Sequence, residues 1–416
     1  MEAILSASDD ASDGGLNGAV ARRIWLISAS LCFLTILMDG YDTAVVSFTA
    51  PTLAHDWNVA PSAFTPAFIA TSLGAVIGYL SCGALTSRFG HRNVVIASVG
   101  FFAAMSLVTV LATDISSLTV FRFITALGLG GAIPTAIALA AALARPQRRE
   151  LTATLVTLGI VVGAALGGLV AVPFLKRWGW QGPFVLGAIL PAILMVALVV
   201  WLPDTRVRSH HSGTPKALFA EGLAVPTTLL WVMTFLSFMQ SYSFTYWLPL
   251  LMTSFGFDRA SAALGNTYIG TGGIAGVLLM MLFVQFVGSA RYLALAFTIG
   301  GGFVLLIAYG GLPNSNLPWL LFLTGAGLGI GGVGQAAIGS MLYPASIRTT
   351  GVGWSSAMGR IGSIFGPGIA GGFMGLQWAA RDIIALAAVP AFLSAATAFA
   401  IFLLIRRREA MGGAHV

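Results

Sequence analysis

The chain has 416 residues, of which 57% are hydrophobic and only 8% charged, with a mean hydropathy of +0.91 and a formal charge of +7. Apolar residues run through the whole length with no long polar domain, which excludes a soluble globular protein and implies a polytopic membrane protein. The basic residues are dispersed over short loops, so they report topology and exclude a nucleic-acid-binding patch.

Residues 1–23, with Ser, Asp and Gly and no apolar run, read as a disordered tail and not as a cleavable signal peptide. Apolar segments of about 20 residues, the length that crosses a bilayer, follow in order. They are 24–49, 62–82, 94–112, 118–143, 152–173 and 183–202, then, after a polar linker over 203–225, 226–252, 262–286, 292–310, 318–341, 350–375 and 382–405; residues 406–416 form a second tail. The fold class is therefore all-α, with twelve transmembrane helices in two six-helix bundles, 24–202 and 226–405. Arg22, Arg23, Arg88, Arg92, Arg145, Arg148, Arg149, Arg206, Arg208, Lys216, Arg291, Arg348, Arg406, Arg407 and Arg408 lie on one side, against Lys176, Arg177, Arg259 and Arg381 on the other. The richer side, with both termini, is expected to be cytoplasmic in a bacterial inner membrane. Cys32 and Cys82 lie in spans and all five histidines lie in loops or a tail, so no disulfide framework, metal cluster or buried histidine relay is expected. No cofactor is implied, and a monomer is expected.

Asp39 and Asp42 stand inside span one, three residues apart. An ionised Asp at the centre of a membrane helix costs roughly 2.5–3.5 kcal/mol on insertion scales, so a pair of them demands a use. At i and i+3 both can face one protein-lined cavity. Arg122 in span four lies at a comparable depth. An Asp that alternates between facing Arg122 and being protonated is a proton carrier, whereas a permanent Asp42–Arg122 bridge merely joins two helices. Asp39, deeper and without an evident cation at its own level, is the stronger candidate for proton transfer.

The halves carry traces of a repeat. Phe123-Ile-Thr-Ala-Leu-Gly128-Leu-Gly130 in span four parallels Phe322-Leu-Thr-Gly-Ala-Gly327-Leu-Gly329 in span ten, and Gly159, Gly163, Gly167 and Gly168 parallel Gly362, Gly366, Gly371 and Gly372 with a one-residue slip. Six spans per half give both repeats the same orientation, an arrangement that puts a substrate site between them near the midplane. Within the repeat, Gln240 of span seven aligns with Asp39 and Tyr242 with Tyr41. Arg360 lies about ten residues into span eleven, some 15 Å deep at helical rise. A guanidinium there suits a substrate carboxylate, held bidentately, the alternative being pairing with backbone carbonyls or with Asp39 across the central cavity. Gln240, Tyr242, Tyr41, Gln335 and Trp247 complete the candidate binding set, although Tyr246 and Trp247, near a span end, also fit a lipid-facing aromatic belt. Gln335 fits an interhelical hydrogen bond equally well.

Gly83-Ala-Leu85-Thr-Ser87-Arg88-Phe-Gly90-His91-Arg92 after span two resembles the basic loop of the major facilitator superfamily. The acids of span one, Arg122 with its glycine run, and Tyr343-Pro344 through Arg348, Gly351, Gly353, Trp354, Arg360, Gly366 and Pro367 resemble its aromatic acid:proton symporters, over residues 24–405. The resemblance implies alternating access and a cytoplasmic gate involving Arg88, Arg92 and Arg348. This chain has Ser87 where the family usually carries Asp, and Leu143 or its neighbours where relatives often carry Glu, so two acids of that gate are missing. The expected function is proton-coupled uptake of a small aromatic or related organic acid, with a small organic anion, a proton and the bilayer as partners. Proton-antiport export of drugs or metabolites and a non-transporting sensor are the alternatives. No nucleophile–base pair, metal cluster or phosphate loop points to an enzyme.

Overall fold

Within a bilayer every backbone N–H and C=O must find a partner inside the protein, and a helix meets that demand within a single segment. The computed structural model describes residues 16–145, 148–203, 215–220, 222–344 and 346–410, and they form helices joined by short connections. Span one is Leu16–Asp56, span two Thr65–Phe89 after a 3-10 turn at Pro61–Phe64, span three His91–Thr109 and span four Ile115–Leu143. Span five is Arg149–Thr157 with Gly159–Trp178, and span six Gln181–Trp201. The second half has span seven Ala224–Ser254, span eight Arg259–Ala262 with Leu264–Val287, span nine Ser289–Tyr309 and span ten Leu317–Leu328 with Gly331–Leu342. Span eleven is Arg348–Gly375, and span twelve Ala380–Leu386 with Ala388–Ala410.

Helix therefore occupies 16–23 and 406–410, where tails were expected; residues 1–15 and 411–416 lie outside the described residues, as does 204–214 of the linker with Arg206 and Arg208. Ten segments among the described residues are both long and apolar enough to cross a membrane. Spans seven and eleven, 31 and 28 residues long, are the two that are not in that set. They carry Gln240, Tyr242 and Arg360, so the polar exceptions are the helices that furnish the candidate site. Span four starts on a capping box, with Asp114 accepting from the Ser117 backbone N–H at 2.7 Å. Those hydrogen bonds hold the exposed Asp114 carboxyl below its ordinary range.

The repeat recurs as backbone packing. Gly74 and Gly78 of span two press on the carbonyls of Phe123 and Leu127 in span four, and Gly272 and Gly276 of span eight press on those of Phe322 and Ala326 in span ten. Likewise Gly159 and Gly163 of span five meet Phe33 and Leu37 of span one, as Gly362 and Gly366 of span eleven meet Phe235 and Met239 of span seven. Small residues let membrane helices approach this closely. A methyl at Gly163 would collide with the Leu37 carbonyl, while Gly302 faces open space. Gly163→Ala is thus expected to cost about 1–3 kcal/mol by overpacking, and Gly302→Ala to be neutral or stabilising by up to about 1 kcal/mol; thermal unfolding in detergent compares the two.

The repeat also fixes a register. Gly163 lies over the Leu37 carbonyl and the Tyr41 backbone nitrogen, and Gly366 lies over the Met239 carbonyl and Ser243. Leu37 thus corresponds to Met239 and Tyr41 to Ser243, which makes Ser241 the counterpart of Asp39. The alignment of Gln240 with Asp39 and of Tyr242 with Tyr41 is one residue out of step. On a helix that step turns a side chain by about 100°.

Candidate functional site

Span one carries its two acids to different neighbours. Asp42 is wholly buried and accepts from Arg122 of span four through Nη2 to Oδ2 at 2.6 Å and Nη1 to Oδ1 at 3.2 Å, with Ser106 of span three donating to Oδ1 at 2.9 Å. Arg122 Nη2 also reaches the Asp42 backbone carbonyl at 2.9 Å, its guanidinium lies 5.9 Å from the Phe184 ring centroid, and its Nε is buried without a hydrogen bond. This bidentate pair ties three helices of the first bundle together. Sequence reasoning missed Ser106, whose only signal was a hydroxyl in an apolar span.

Asp39 is buried at 4% exposure, and its carboxylate has no hydrogen bond or ion pair among the described residues. Arg360, from the other bundle, lies within electrostatic reach of it, as do Asp42 and Arg122. Arg360 donates through Nη1 to the Tyr242 hydroxyl at 2.9 Å, and its guanidinium stands 5.6 Å from the ring centroid of Tyr79 in span two. Tyr79, absent from the sequence-derived set, therefore brings the first bundle to this cation. The result is a partly buried guanidinium between two tyrosines of opposite bundles, within electrostatic reach of an unpaired carboxylate.

Other candidates are drawn elsewhere. Tyr41 turns into its own bundle, where its hydroxyl donates to the Pro183 carbonyl at 2.7 Å and its ring lies against Gly167 and Gly187. Gln240 turns away from Tyr242 and lines a side cavity between spans seven, eleven and twelve, because residues two apart on a helix diverge by about 200°. Gln335 donates to Ser356 of span eleven at 2.9 Å, leaving its Oε1 buried and unpaired. Trp247 is 1% exposed, so it is no lipid-facing belt residue; its indole N–H donates to the Pro367 carbonyl at 2.9 Å. Trp247 and the fully buried Tyr246 each pack on Phe68 of the first bundle with centroids 4.9 Å apart.

Those rings belong to a seam between the bundles. Asn266 of span eight donates to Ser47 at 2.8 Å and Thr267 to the Ala165 carbonyl at 2.7 Å. The seam lies toward the arginine-poor face, beyond Arg360. Arg92 instead donates to the Leu202 and Val199 carbonyls that end span six, at 2.7 and 2.6 Å, and Arg348 to Tyr343 at the end of span ten at 3.3 Å. Arg88 is exposed, 5.2 Å from the Phe89 ring. Two of the three gate arginines are therefore engaged in closing helix C-termini within their own bundles. Among the described residues no group of His, Cys, Asp and Glu could hold a metal ion.

Two bundles of six helices thus enclose a central cation and a buried acid. The Major Facilitator Superfamily profile matches residues 32–333. The chain belongs to this superfamily. Among superfamily members, the 4-hydroxybenzoate transporter PcaK of Acinetobacter baylyi is 32% identical over 423 residues, covering 92% of this chain and 91% of that protein. The 3-(3-hydroxy-phenyl)propionate transporter of Escherichia coli is 33% identical over 390 residues, covering 92% and 95%. The solved nucleoside transporter NupG superposes with a TM-score of 0.73 at 13% identity, over 90% of this chain and 100% of that one, which shows the shared superfamily fold. The protein is a transporter and not an enzyme.

Proposed function

We propose that the protein takes up a small aromatic carboxylic acid together with a proton, by rocking its two bundles about the central site. The observation that carries this reading is Asp39, a buried carboxylate without a partner among the described residues, within electrostatic reach of a cation that bonds to Tyr242 and stacks on Tyr79. A substrate carboxylate can take the bidentate place on Arg360 that no acid among the described residues occupies, while the rings of Tyr242 and Tyr79 flank it. Protonation of Asp39 removes the negative charge that would otherwise repel the anion. Both relatives carry hydroxylated aromatic acids by name, which supports the same class here. The arginine-rich face, with both described chain ends, is assigned to the cytoplasm of a bacterial inner membrane by its charge. With the seam closed at the opposite face, the site would then be reached from the cytoplasm.

Counterflow in proteoliposomes loaded with 4-hydroxybenzoate and challenged with labelled hydroxybenzoates, phenylpropionates and aliphatic diacids tests the substrate class. Aromatic monoacids should exchange and aliphatic diacids should not; the reverse order contradicts the reading. Arg360→Lys keeps the charge but loses the planar fork, and should raise the half-saturating concentration by roughly 10- to 100-fold, equivalent to about 1.5–3 kcal/mol for a charged hydrogen bond.

A further inference from the structure

We propose that the side cavity between spans seven, eleven and twelve is a second ligand site, which takes a neutral phenol from the bilayer. The cavity measures about 210 Å³ and is lined by Gln240, Ser243, Ala370, Phe373, Leu386 and Pro390 among others, with no charged side chain in its wall. Ile369 and Val389, also in the wall, are 44% and 51% exposed on the lipid-facing surface, so the cavity is approached from the membrane. Neither Arg360 nor Asp39 touches it. Its ligand is therefore independent of the transported acid.

The chemistry of the ligand follows from the other half of the molecule. Ser243 is the counterpart of Tyr41, because Gly366 meets Met239 and Ser243 of span seven as Gly163 meets Leu37 and Tyr41 of span one. In the first bundle the Tyr41 phenol fills the space between spans one, five and six, lying against Gly167 and bonding to Pro183 of span six. Four residues on from Gly163 and Gly366, the same register sets Gly167 against Ala370 and not against Gly371 as the sequence repeat suggested, and Ala370 lines the cavity. The void is thus the place of a tyrosine ring that the second bundle lacks. An apolar cavity of about 150 Å³ suffices for benzene, so this one holds a substituted ring.

A polar group adds selectivity. Gln240 Nε2 is buried, in a residue 2% exposed, with no hydrogen-bond partner, and Gln240 lines the cavity. The Gln240 amide in the wall offers a hydrogen-bonding group to a phenol hydroxyl, which can donate or accept, and none to a lipid tail. A carboxylate would enter without a cation to meet it, so the neutral form is selected.

Photolabelling with 4-azidophenol in proteoliposomes, followed by peptide mapping, tests the site with p-cresol, the tyrosine side chain itself, as competitor. Label is expected on spans seven, eleven and twelve, saturable, displaced by p-cresol and not by 4-hydroxybenzoate anion. Ser243→Tyr, which restores the missing ring, should abolish it. Gln240→Leu should weaken p-cresol competition by about 2- to 10-fold, the loss of one hydrogen bond. Label spread evenly over lipid-facing residues, or undiminished in Ser243→Tyr, overturns the proposal. Should Ser243→Tyr fail to fold, unchanged p-cresol competition in Gln240→Leu overturns it instead. Transport of aromatic acids has no part in this readout, so the two assignments fail separately.

Discussion

Asp39→Asn protein is expected to exchange substrate across a membrane yet fail to accumulate it. One proton moved with each substrate anion converts a pH difference of one unit into about tenfold accumulation, or about 1.4 kcal/mol. Asparagine has the shape of a protonated aspartate and cannot release a proton, so substrate should equilibrate at a ratio near one whatever the pH gradient. Three features support this role: Asp39 is buried, outside any ion pair among the described residues, and within electrostatic reach of a cation of the opposite bundle. Glutamate at this position is the informative companion, since it restores a titratable group and should recover part of the accumulation. Uptake of labelled 4-hydroxybenzoate under an imposed pH gradient, beside counterflow without one, separates coupling from passage.

Asp42→Ala should act mainly on stability. Removing this carboxylate strands a wholly buried Arg122 whose Nε is already without a partner. Breaking one side of a buried pair typically costs about 3–5 kcal/mol, because the remaining charge is left uncompensated. The Asp42→Asn/Arg122→Gln double variant removes both charges and should recover most of that loss, a coupling that thermal unfolding in detergent measures directly. An Asp42→Ala protein as stable as the parent would mean that the pair is not holding spans one, three and four. On these expected results the two acids of span one would divide into a structural and a coupling role, although only three residues separate them.

Much of this was legible in the chain. Charges inside spans are few, so Asp42 and Arg122 could be counted and matched by depth, and the glycine repeats announced the duplicated packing that brings Gly163 and Gly366 onto equivalent carbonyls. What sequence reasoning missed was rotation. Aligning Gln240 with Asp39 was one residue in error, and about 100° of helix separates a side chain at the centre from one at the back of a bundle. Burial of Tyr246 and Trp247 was hidden for a similar reason, since an aromatic near a span end reads as a lipid anchor until the helix opposite supplies Phe68. The bonds from Arg92 to the Leu202 and Val199 carbonyls were equally hidden, because a loop arginine carries no sign of which carbonyls it will cap.

Proton-coupled carriage of a monoanion is electrically neutral, whereas moving a net charge inward gains about 2.3 kcal/mol per 100 mV. The decisive measurement is therefore accumulation of 4-hydroxybenzoate in proteoliposomes whose pH gradient and membrane potential are set independently, the latter with potassium and valinomycin. Accumulation that rises with the pH gradient and ignores the potential, in the parent and not in Asp39→Asn, is the predicted result. Accumulation that follows the potential, or that persists undiminished in Asp39→Asn, contradicts it.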